Sequence, residues 1–181
     1  LNMKIVDLSP AYEKQFFCCL EDWSPEMEEA GDHKECWYAK WKHKGLRVKV
    51  AVNERDAAVG MIQYLPIEVS PAEGNSLYYV LCIWVHGHKK GIGNFQKRGL
   101  GKALLQSAEE DVRQLGSKGL VTWGIILPFF MRAAWFRKQG YSVVDKSGML
   151  RLLWKPFAGD AVPPKFMKKR NLPQPLAGKV N

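Results

Sequence analysis

The sequence has few cysteines, and none of them are spaced like the ligands of a metal knuckle or the thiols of a redox motif. Four cysteines occur in 181 residues, Cys18, Cys19, Cys36 and Cys82, and no CxxC is present. Cys18 and Cys19 are adjacent, so on a helix they point in different directions. The pattern excludes a disulfide-rich scaffold and argues against a zinc site. We therefore expect four reduced thiols in a cytoplasmic protein.

Long apolar runs are also missing from the sequence. No stretch approaches the roughly 20 apolar residues that a membrane-spanning helix needs, and no signal-peptide pattern is visible at the N-terminus. The chain of 181 residues is long enough for one domain with a substantial core. We expect a globular protein that does not contact a membrane.

Acidic residues are absent from one region of the chain. The net charge is +9, and residues 86–102 contain five Lys or Arg and no Asp or Glu. Residues 155–181 contain six Lys or Arg and one acid, Asp160, which gives a net +5. The first cluster suits a polyanionic ligand, although a solvated loop would have the same composition. The second suits a nucleic-acid tail or a linker.

Strand and helix patterns alternate along the chain, which predicts an α/β fold. The predicted strands are 3–8, 47–52, 57–67, 77–85, 120–126, 141–145 and 149–154. The predicted helices are 9–23, 24–44 with a possible break at Gly31, 103–115 and 128–139. Residues 77–85 are apolar at successive positions, as expected for a central strand that is buried on both faces.

The stretch from Gln96 to Lys102 joins that central strand to the helix predicted at 103–115. Gly99 and Gly101 allow close backbone approach to a ligand, and Lys97, Arg98 and Lys102 add positive charge. A glycine-bearing loop that enters a helix N-terminus presents free N–H groups and the positive end of the helix dipole. The stretch therefore predicts a phosphate site.

Gln96, Gly99 and Gly101 resemble the acyl-CoA signature of the GCN5-related N-acetyltransferases (GNAT). The resemblance covers about residues 3–155 and is strongest over 77–141. It implies a mixed, mainly antiparallel sheet flanked by helices on both faces, with a V-shaped splay between the two central strands. It also implies acetyl-CoA as co-substrate. The cofactor-binding residues it implies are Ile83, Trp84, Val85, Gln96, Lys97, Arg98, Gly99, Leu100, Gly101, Lys102, Ala103 and Phe136.

The link at residues 86–95 is longer than the family resemblance predicts. It repeats part of the signature at Lys90-Gly91-Ile92-Gly93, but no helical pattern follows directly, so the second copy should be the phosphate loop. We expect the extra loop to be mobile. His86 and His88 alternate as metal ligands can, but no third ligand is near in sequence, and we expect no metal.

The resemblance implies that the first two helices form one wall of the acceptor site. Trp23, Met27 and Trp37 are the candidates for that wall. Trp37 and Trp41 are one helical turn apart, and such a pair also fits a purely structural role in the core. The acceptor is expected to be an amine on a small molecule or a protein, and the enzyme a monomer or homodimer.

The resemblance further implies direct attack of the amine on the acetyl thioester. The position that carries a proton-donating tyrosine in many relatives is Phe136, and the position of a frequent asparagine is Phe129. Tyr141 or Tyr79 could replace the acid, and a base is needed because a free alkyl amine has a pKa of ~10.4. Glu68 and His86 are the candidates, with His88 as a further one.

Two features of the sequence leave alternatives open. Cys82 could carry an acyl group, but no histidine or acid at a supporting spacing is present, and a packing role fits better. Residues 1–157 should form the transferase domain, and 158–181 a basic, proline-rich tail or linker leading to a further domain. A non-catalytic acyl-CoA-binding module and a nucleic-acid-associated protein that uses this tail are the alternative functions.

Overall fold

A seven-stranded sheet forms the centre of the computed structural model, which describes residues 3–20, 25–128 and 130–168, and for residues 25–32 the backbone alone. The strands are β1 (Lys4–Asp7), β2 (Arg47–Val52), β3 (Ala58–Pro66), β4 (Ala72–Glu73), β5 (Tyr78–Val85), β6 (Gly119–Ile125), β7 (Ser142–Ser147), β8 (Leu150–Pro156) and β9 (Lys165–Phe166). The helices are α1 (Pro10–Phe17), α2 (Pro25–Lys42), α3 (Leu100–Gln114) and α4 (Ala133–Lys138).

The order of strands in the large sheet is β1-β2-β3-β5-β6-β8-β7. All neighbours pair antiparallel except β5 and β6, which run parallel. The expected mixed and mainly antiparallel α/β sheet is confirmed, with β5 at its centre. None of the helices in the described residues is apolar over a length that would cross a membrane.

Two hydrophobic clusters cover the two faces of the sheet. On one face Phe16 and Tyr38, from α1 and α2, pack onto strand residues such as Val50 and Met61. On the other face the apolar side of α3 and Phe136 of α4 pack over β3, β5 and β8. Helices therefore flank the sheet on both sides, as expected.

The first two helices differ from the prediction. α1 ends at Phe17 rather than near residue 23, because Cys19 and Leu20 adopt left-handed conformations with φ of 51° and 64°. This turn buries Leu20, which is 1% exposed. The break considered at Gly31 is wrong, since α2 continues through it.

The fourth helix is shorter than predicted. It begins at Ala133 instead of Pro128, because Met131 adopts a φ of 54° and its carbonyl accepts a hydrogen bond from the Ile125 N–H. Residues 131–132 thus extend the edge of β6 before the chain turns into the helix. Gly140 ends the helix as expected, with a φ of 91°.

The first part of the expected tail packs against the domain. β9 pairs antiparallel with β4, a strand in a segment expected to be a loop. The Phe166 N–H donates to Asp145, and Lys118 forms an ion pair with Asp160. The interpretation of residues 158–168 as an extended linker is therefore wrong, because they carry a strand pairing and side-chain contacts.

Candidate functional site

The two parallel central strands separate after a short contact. β5 and β6 pair only from Tyr78 to Val80, against residues 120–122. Beyond this contact the Trp123 indole Nε1–H crosses the gap and donates to the Leu81 carbonyl at 2.8 Å. The expected splay is thus present in the sheet.

Backbone groups of β5 face this gap at every second residue. The Leu81 carbonyl accepts from Trp123, and the Val85 carbonyl accepts from the Gln96 side-chain amide at 3.0 Å. His86 points its N–H the other way, to Val59 on β3. Because a strand alternates, the N–H and C=O of Ile83 also face the gap. The splay therefore exposes a short row of amide groups to a ligand.

The loop before α3 delivers a helix N-terminus to the same place. Gly99 is the N-cap residue in a left-handed conformation, with φ 81° and ψ −3°, and the described residues provide no side-chain cap. The first hydrogen bond inside the helix runs from the Ala103 N–H to the Gly99 carbonyl. The N–H groups of Leu100, Gly101 and Lys102 precede it, so they have no partner within the helix.

Gln96 holds this loop in position. Its side chain lies against Gly87, where a Cβ atom would come within 2.3 Å of the Gln96 Nε2 atom. Its amide donates to Val85, as described above. The side chain of Gln96 thus ties the phosphate loop to the end of β5.

The splay and the loop form one cleft of about 410 Å³. Ten of the twelve residues predicted to bind cofactor line it: Ile83, Trp84, Val85, Gln96, Lys97, Gly99, Leu100, Gly101, Lys102 and Phe136. Five lining residues escaped the sequence analysis: Phe95, Phe130, Met131, Arg132 and Trp135. What these residues bind remains a prediction.

Two predicted cofactor residues lie outside the cleft lining. Arg98 stacks on the ring of Phe95, with its guanidinium carbon 5.1 Å from the ring centroid, and lines a neighbouring groove instead. Ala103 lies in the first turn of α3 and contributes its backbone N–H to that helix. Arg98 is therefore a support for the wall of the cleft.

The cleft is electropositive. Its described lining includes the cations Lys97, Lys102 and Arg132 and no carboxylate or histidine. Positive side chains and a helix N-terminus attract the same kind of ligand, an anion. The arrangement suits a long ligand with phosphate at one end.

Aromatic rings fill the deep end of the splay. Phe130 packs edge-on against Trp84 and Trp123, with ring centroids 5.8 and 6.1 Å apart. The indole Nε1 of Trp84 is buried and has no hydrogen-bond partner among the described residues. A buried N–H without a partner costs about 1–3 kcal/mol, so this group is a donor that a ligand could satisfy.

Tyr141 and Tyr79 do not reach the cleft. The hydroxyl of Tyr141 donates to Glu109 Oε1 at 3.0 Å, and its side chain faces a groove on the other side of α4. Burial, with the Glu109 carboxylate beside it, raises the pKa of Tyr141 well above its ordinary value. Burial also raises the pKa of Tyr79. The interpretation of Tyr141 as the general acid is wrong, because its hydroxyl is buried and held by Glu109.

The candidate bases are also placed away from the cleft lining. Glu68 lies on a short 3₁₀ turn, is exposed, and accepts the Ser76 N–H at 3.2 Å. His86 is fully buried, with its Nδ1 atom 2.6 Å from the Gly93 carbonyl. Both assignments as a general base are contradicted by this placement.

His86 instead organises the inserted loop. Its carbonyl accepts the Phe95 N–H at 2.8 Å, while its ring contacts Gly93 from inside the loop. His88 lies beside it, with ring centroids 5.8 Å apart. The 86–95 loop is thus closed by its own hydrogen bonds, in contrast to the expected mobile loop. The described residues contain no group of three metal-ligating side chains.

The predicted acceptor wall is described only in part. Trp23 and Phe129 lie outside the described residues, and the side chain of Met27 is not described. Trp37 lies 6.2 Å from Trp41, centroid to centroid, along a second cleft of about 440 Å³. This second cleft lies on the α2 side of the sheet and also contacts Leu81 and Glu68.

Cys82 faces the same side of the sheet as Trp84. Burial raises the pKa of the Cys82 thiol to about 11. At neutral pH the group is therefore a thiol rather than the nucleophilic thiolate.

A sequence model described as the acetyltransferase (GNAT) family matches residues 8–141. Among curated proteins, the chain is 25% identical over 154 residues to the uncharacterized N-acetyltransferase YoaP of Bacillus subtilis (strain 168). The match covers 81% of this chain and 57% of YoaP, so the chain spans little more than half of that relative.

Solved structures share the fold at low sequence identity. The GNAT family N-acetyltransferase YhbS of Escherichia coli, crystallised with CoA, has a TM-score of 0.64 at 12% identity, over 92% of this chain and 91% of YhbS. A putative GNAT acetyltransferase of Desulfovibrio desulfuricans has a TM-score of 0.62 at 18% identity, over 87% of this chain and all of that one. A GNAT acetyltransferase of Brucella melitensis, in complex with acetyl-CoA, has a TM-score of 0.56 at 18% identity, over 90% and 92%. These likenesses establish the shared fold.

Proposed function

The chain belongs to the GNAT acetyltransferase family, and from this premise we propose that it transfers an acetyl group from acetyl-CoA to a primary amine by direct attack. The observation that carries the proposal is the single cleft that joins the α3 N-terminus to the splay. One end of that cleft suits phosphate and the other suits an extended, amide-bearing chain.

The loop at Gly99 and Gly101 is proposed to hold the CoA pyrophosphate. Its free N–H groups and the dipole of α3 favour negative charge, and Lys97 and Lys102 add to that field. A Cβ atom at position 101 would lie 3.4 Å from Trp135, so a glycine leaves the cleft floor flat there. These features fit the proposed co-substrate.

The exposed edge of β5 is proposed to hold the pantetheine arm. The N–H and C=O of Ile83 face the splay by strand alternation, and they match the amides of pantetheine in chemistry. Phe95, Trp135 and Phe136 line the cleft beside this edge and exclude water from it. Oriented amides in a site with little water are suited to positioning a reactive group.

Acetyl-CoA supplies the activated thioester in this scheme. The chain would polarise the thioester carbonyl with a backbone N–H near Val85, which faces the splay as Ile83 does. The neutral Cys82 thiol favours direct attack by the amine over a covalent acyl-cysteine route.

Proton transfer in this scheme relies on water within the described part of the site. The described lining of the cleft contains no carboxylate, histidine or tyrosine. An alkyl amine with a pKa of ~10.4 must lose a proton before it attacks. Water is proposed to take that proton and to protonate the departing sulfur, because Phe136 has none to give.

The acceptor is proposed to approach from the α2 side, where Trp84, Trp123 and Phe130 border the splay. The unpartnered indole N–H of Trp84 is available there to an oxygen of the acceptor or of the thioester. The described cysteines, all free thiols, fit a cytoplasmic location, which we also propose.

An acyl-CoA-binding module without turnover is the second candidate function. One observation favours it: Phe136, fully buried, occupies the position of the usual proton donor. Both functions predict CoA binding, and only the transferase predicts consumption of acetyl-CoA.

The test combines binding and turnover on the same protein. Calorimetry with acetyl-CoA measures the cleft, and release of the CoA thiol in the presence of a panel of small amines and peptides measures transfer. Saturable binding with amine-dependent thiol release supports the transferase. Binding without release for any amine identifies the module, and the absence of binding refutes both.

A further inference from the structure

A second groove lies on the other side of α4 and carries four positive side chains. It has a volume of about 930 Å³ and lies between α4 and β7, the strand at the edge of the sheet. The cations are Arg137 and Lys138 from α4, Lys146 from β7 and Arg151 from β8. We call these four residues and the space between them the basic groove.

The basic groove is separate from the cleft at the splay. Arg132, Trp135 and Phe136 line the cleft, whereas Ala134, Arg137 and Lys138 line the groove. Successive helical residues are rotated by roughly 100°, so these two sets point to opposite sides of α4. A ligand in the groove would not overlap one in the cleft.

The strand cations of the groove are placed unfavourably for folding alone. Lys146 lies directly opposite Arg151 in the antiparallel register of β7 and β8. Like charges that face each other across a strand pair destabilise a sheet. Cations in the last turn of a helix are favoured by its dipole, which accounts for Arg137 and Lys138 but not for the strand pair.

No carboxylate in the described residues offsets these charges. Neither Arg137, Lys138 nor Lys146 makes a side-chain hydrogen bond or ion pair there, and Arg151 contacts only the carbonyls of Gly148 and Leu150. The acid nearest in sequence, Asp145, accepts the backbone N–H groups of Lys146 and Phe166. The groove therefore concentrates positive charge in a concave site.

We propose that the basic groove binds a small, phosphate-rich anion, as a second site independent of the cleft. Two guanidinium groups can each grip phosphate oxygens with two parallel hydrogen bonds, and the lysines neutralise further charge. Tyr141 is the aromatic residue of the groove lining, and it is buried against Phe136 rather than presented for stacking. The groove thus reads phosphate, whether it belongs to an inorganic polyphosphate or to a nucleotide.

The test is a calorimetric titration with inorganic triphosphate at low ionic strength. The groove variant is Arg137→Gln with Lys146→Gln, and the matched control is Lys4→Gln with Lys40→Gln, which removes the same charge from exposed positions elsewhere. A third variant, Lys97→Gln with Lys102→Gln, removes the same charge from the cleft. We expect the groove variant to bind at least about tenfold more weakly, while the other two bind as the parent does.

Two further readouts separate a specific site from general charge effects and from misfolding. The groove variant should not melt earlier than the parent, because Lys146→Gln relieves a like-charge pair. Replacing triphosphate by a nucleoside triphosphate identifies the source: equal affinity means that phosphate alone is read, and tighter binding that is lost in the groove variant means a nucleotide. The proposal is overturned if triphosphate does not bind the parent, if the groove variant binds as the control does, or if the loss occurs only in the cleft variant.

Discussion

Gly101 offers the sharpest perturbation of the proposed cofactor cleft. It is the second residue of α3, next to the left-handed N-cap Gly99, and its N–H is one of the free groups of the helix start. A side chain at this position enters the cleft beside Trp135, since a Cβ atom would lie 3.4 Å from the Trp135 Cζ2 atom. We therefore expect substitutions here to change ligand affinity more than stability.

Three replacements at position 101 separate the effects of shape, bulk and charge. Gly101→Ala makes only a tight contact with Trp135 and gains up to about 1 kcal/mol of helix propensity, so it should fold and bind as the parent does. Gly101→Gln adds bulk without charge. Gly101→Glu adds a carboxylate, which stabilises the first turn of a helix by about 0.3–1 kcal/mol and so should leave the fold intact.

The expected loss for Gly101→Glu follows from Coulomb repulsion with the pyrophosphate. Two unit charges about 4 Å apart repel by about 1 kcal/mol in water and about 4 kcal/mol at the effective dielectric of a protein surface. This range corresponds to a weakening of about fivefold to about a thousandfold in the dissociation constant, beyond the loss seen for Gly101→Gln.

Calorimetry with CoA, alongside thermal melting of each variant, measures this difference. The loss should shrink in high salt, where the Debye length falls to about 3 Å at 1 M. If a folded Gly101→Glu protein binds CoA as tightly as Gly101→Gln does, the α3 N-terminus is not the phosphate site.

Three other predictions test the proposed chemistry and the packing around it. Phe136→Tyr should keep its melting temperature and at least the parent's turnover; an early melt with lost CoA binding would show that the ring serves only the core. Cys82→Ala should retain the transfer rate within about tenfold, and an acetyl group found on Cys82 by mass spectrometry would contradict this. Burial alone would raise the pKa of Asp111, but hydrogen bonds from Arg47 and Tyr64 bring it below its usual value. Because the folded-state pKa is lowered, the stabilisation is present above the ordinary value of about 3.9 and is lost as the pH falls through the folded-state pKa. Asp111→Asn should therefore cost about 3 kcal/mol in urea unfolding at neutral pH, and an equal cost in strong acid would refute the linkage.

Local signals predicted the elements whose boundaries are set by local chemistry. β2 runs from Arg47 to Val52 as predicted, because alternation and a preceding glycine define it within the strand itself. The end of α1 was missed, because Cys19 and Leu20 take left-handed conformations to bury Leu20, and no glycine announces that turn. The late start of α4 depends in the same way on the contact of Met131 with Ile125.

The candidate site was predictable where it is continuous in sequence. Gly99 and Gly101 lie in one loop, so spacing alone predicted the phosphate site. Arg132 and Trp135 enter the cleft from a segment about thirty residues further on, and only the tertiary fold brings them there. His86 was misassigned because its neighbours, glycines and lysines, are typical of an exposed loop, whereas the ring is buried on Gly93.

Incubation of the purified chain with acetyl-CoA and a panel of amines, followed by mass spectrometry of all products, tests the central claim most directly. The proposed function predicts an acetylated amine that forms in step with released CoA thiol, and loss of both in Gly101→Glu but not in Gly101→Ala. Thiol release without an acetylated amine, or product formation that Gly101→Glu leaves unchanged, would contradict the proposed function.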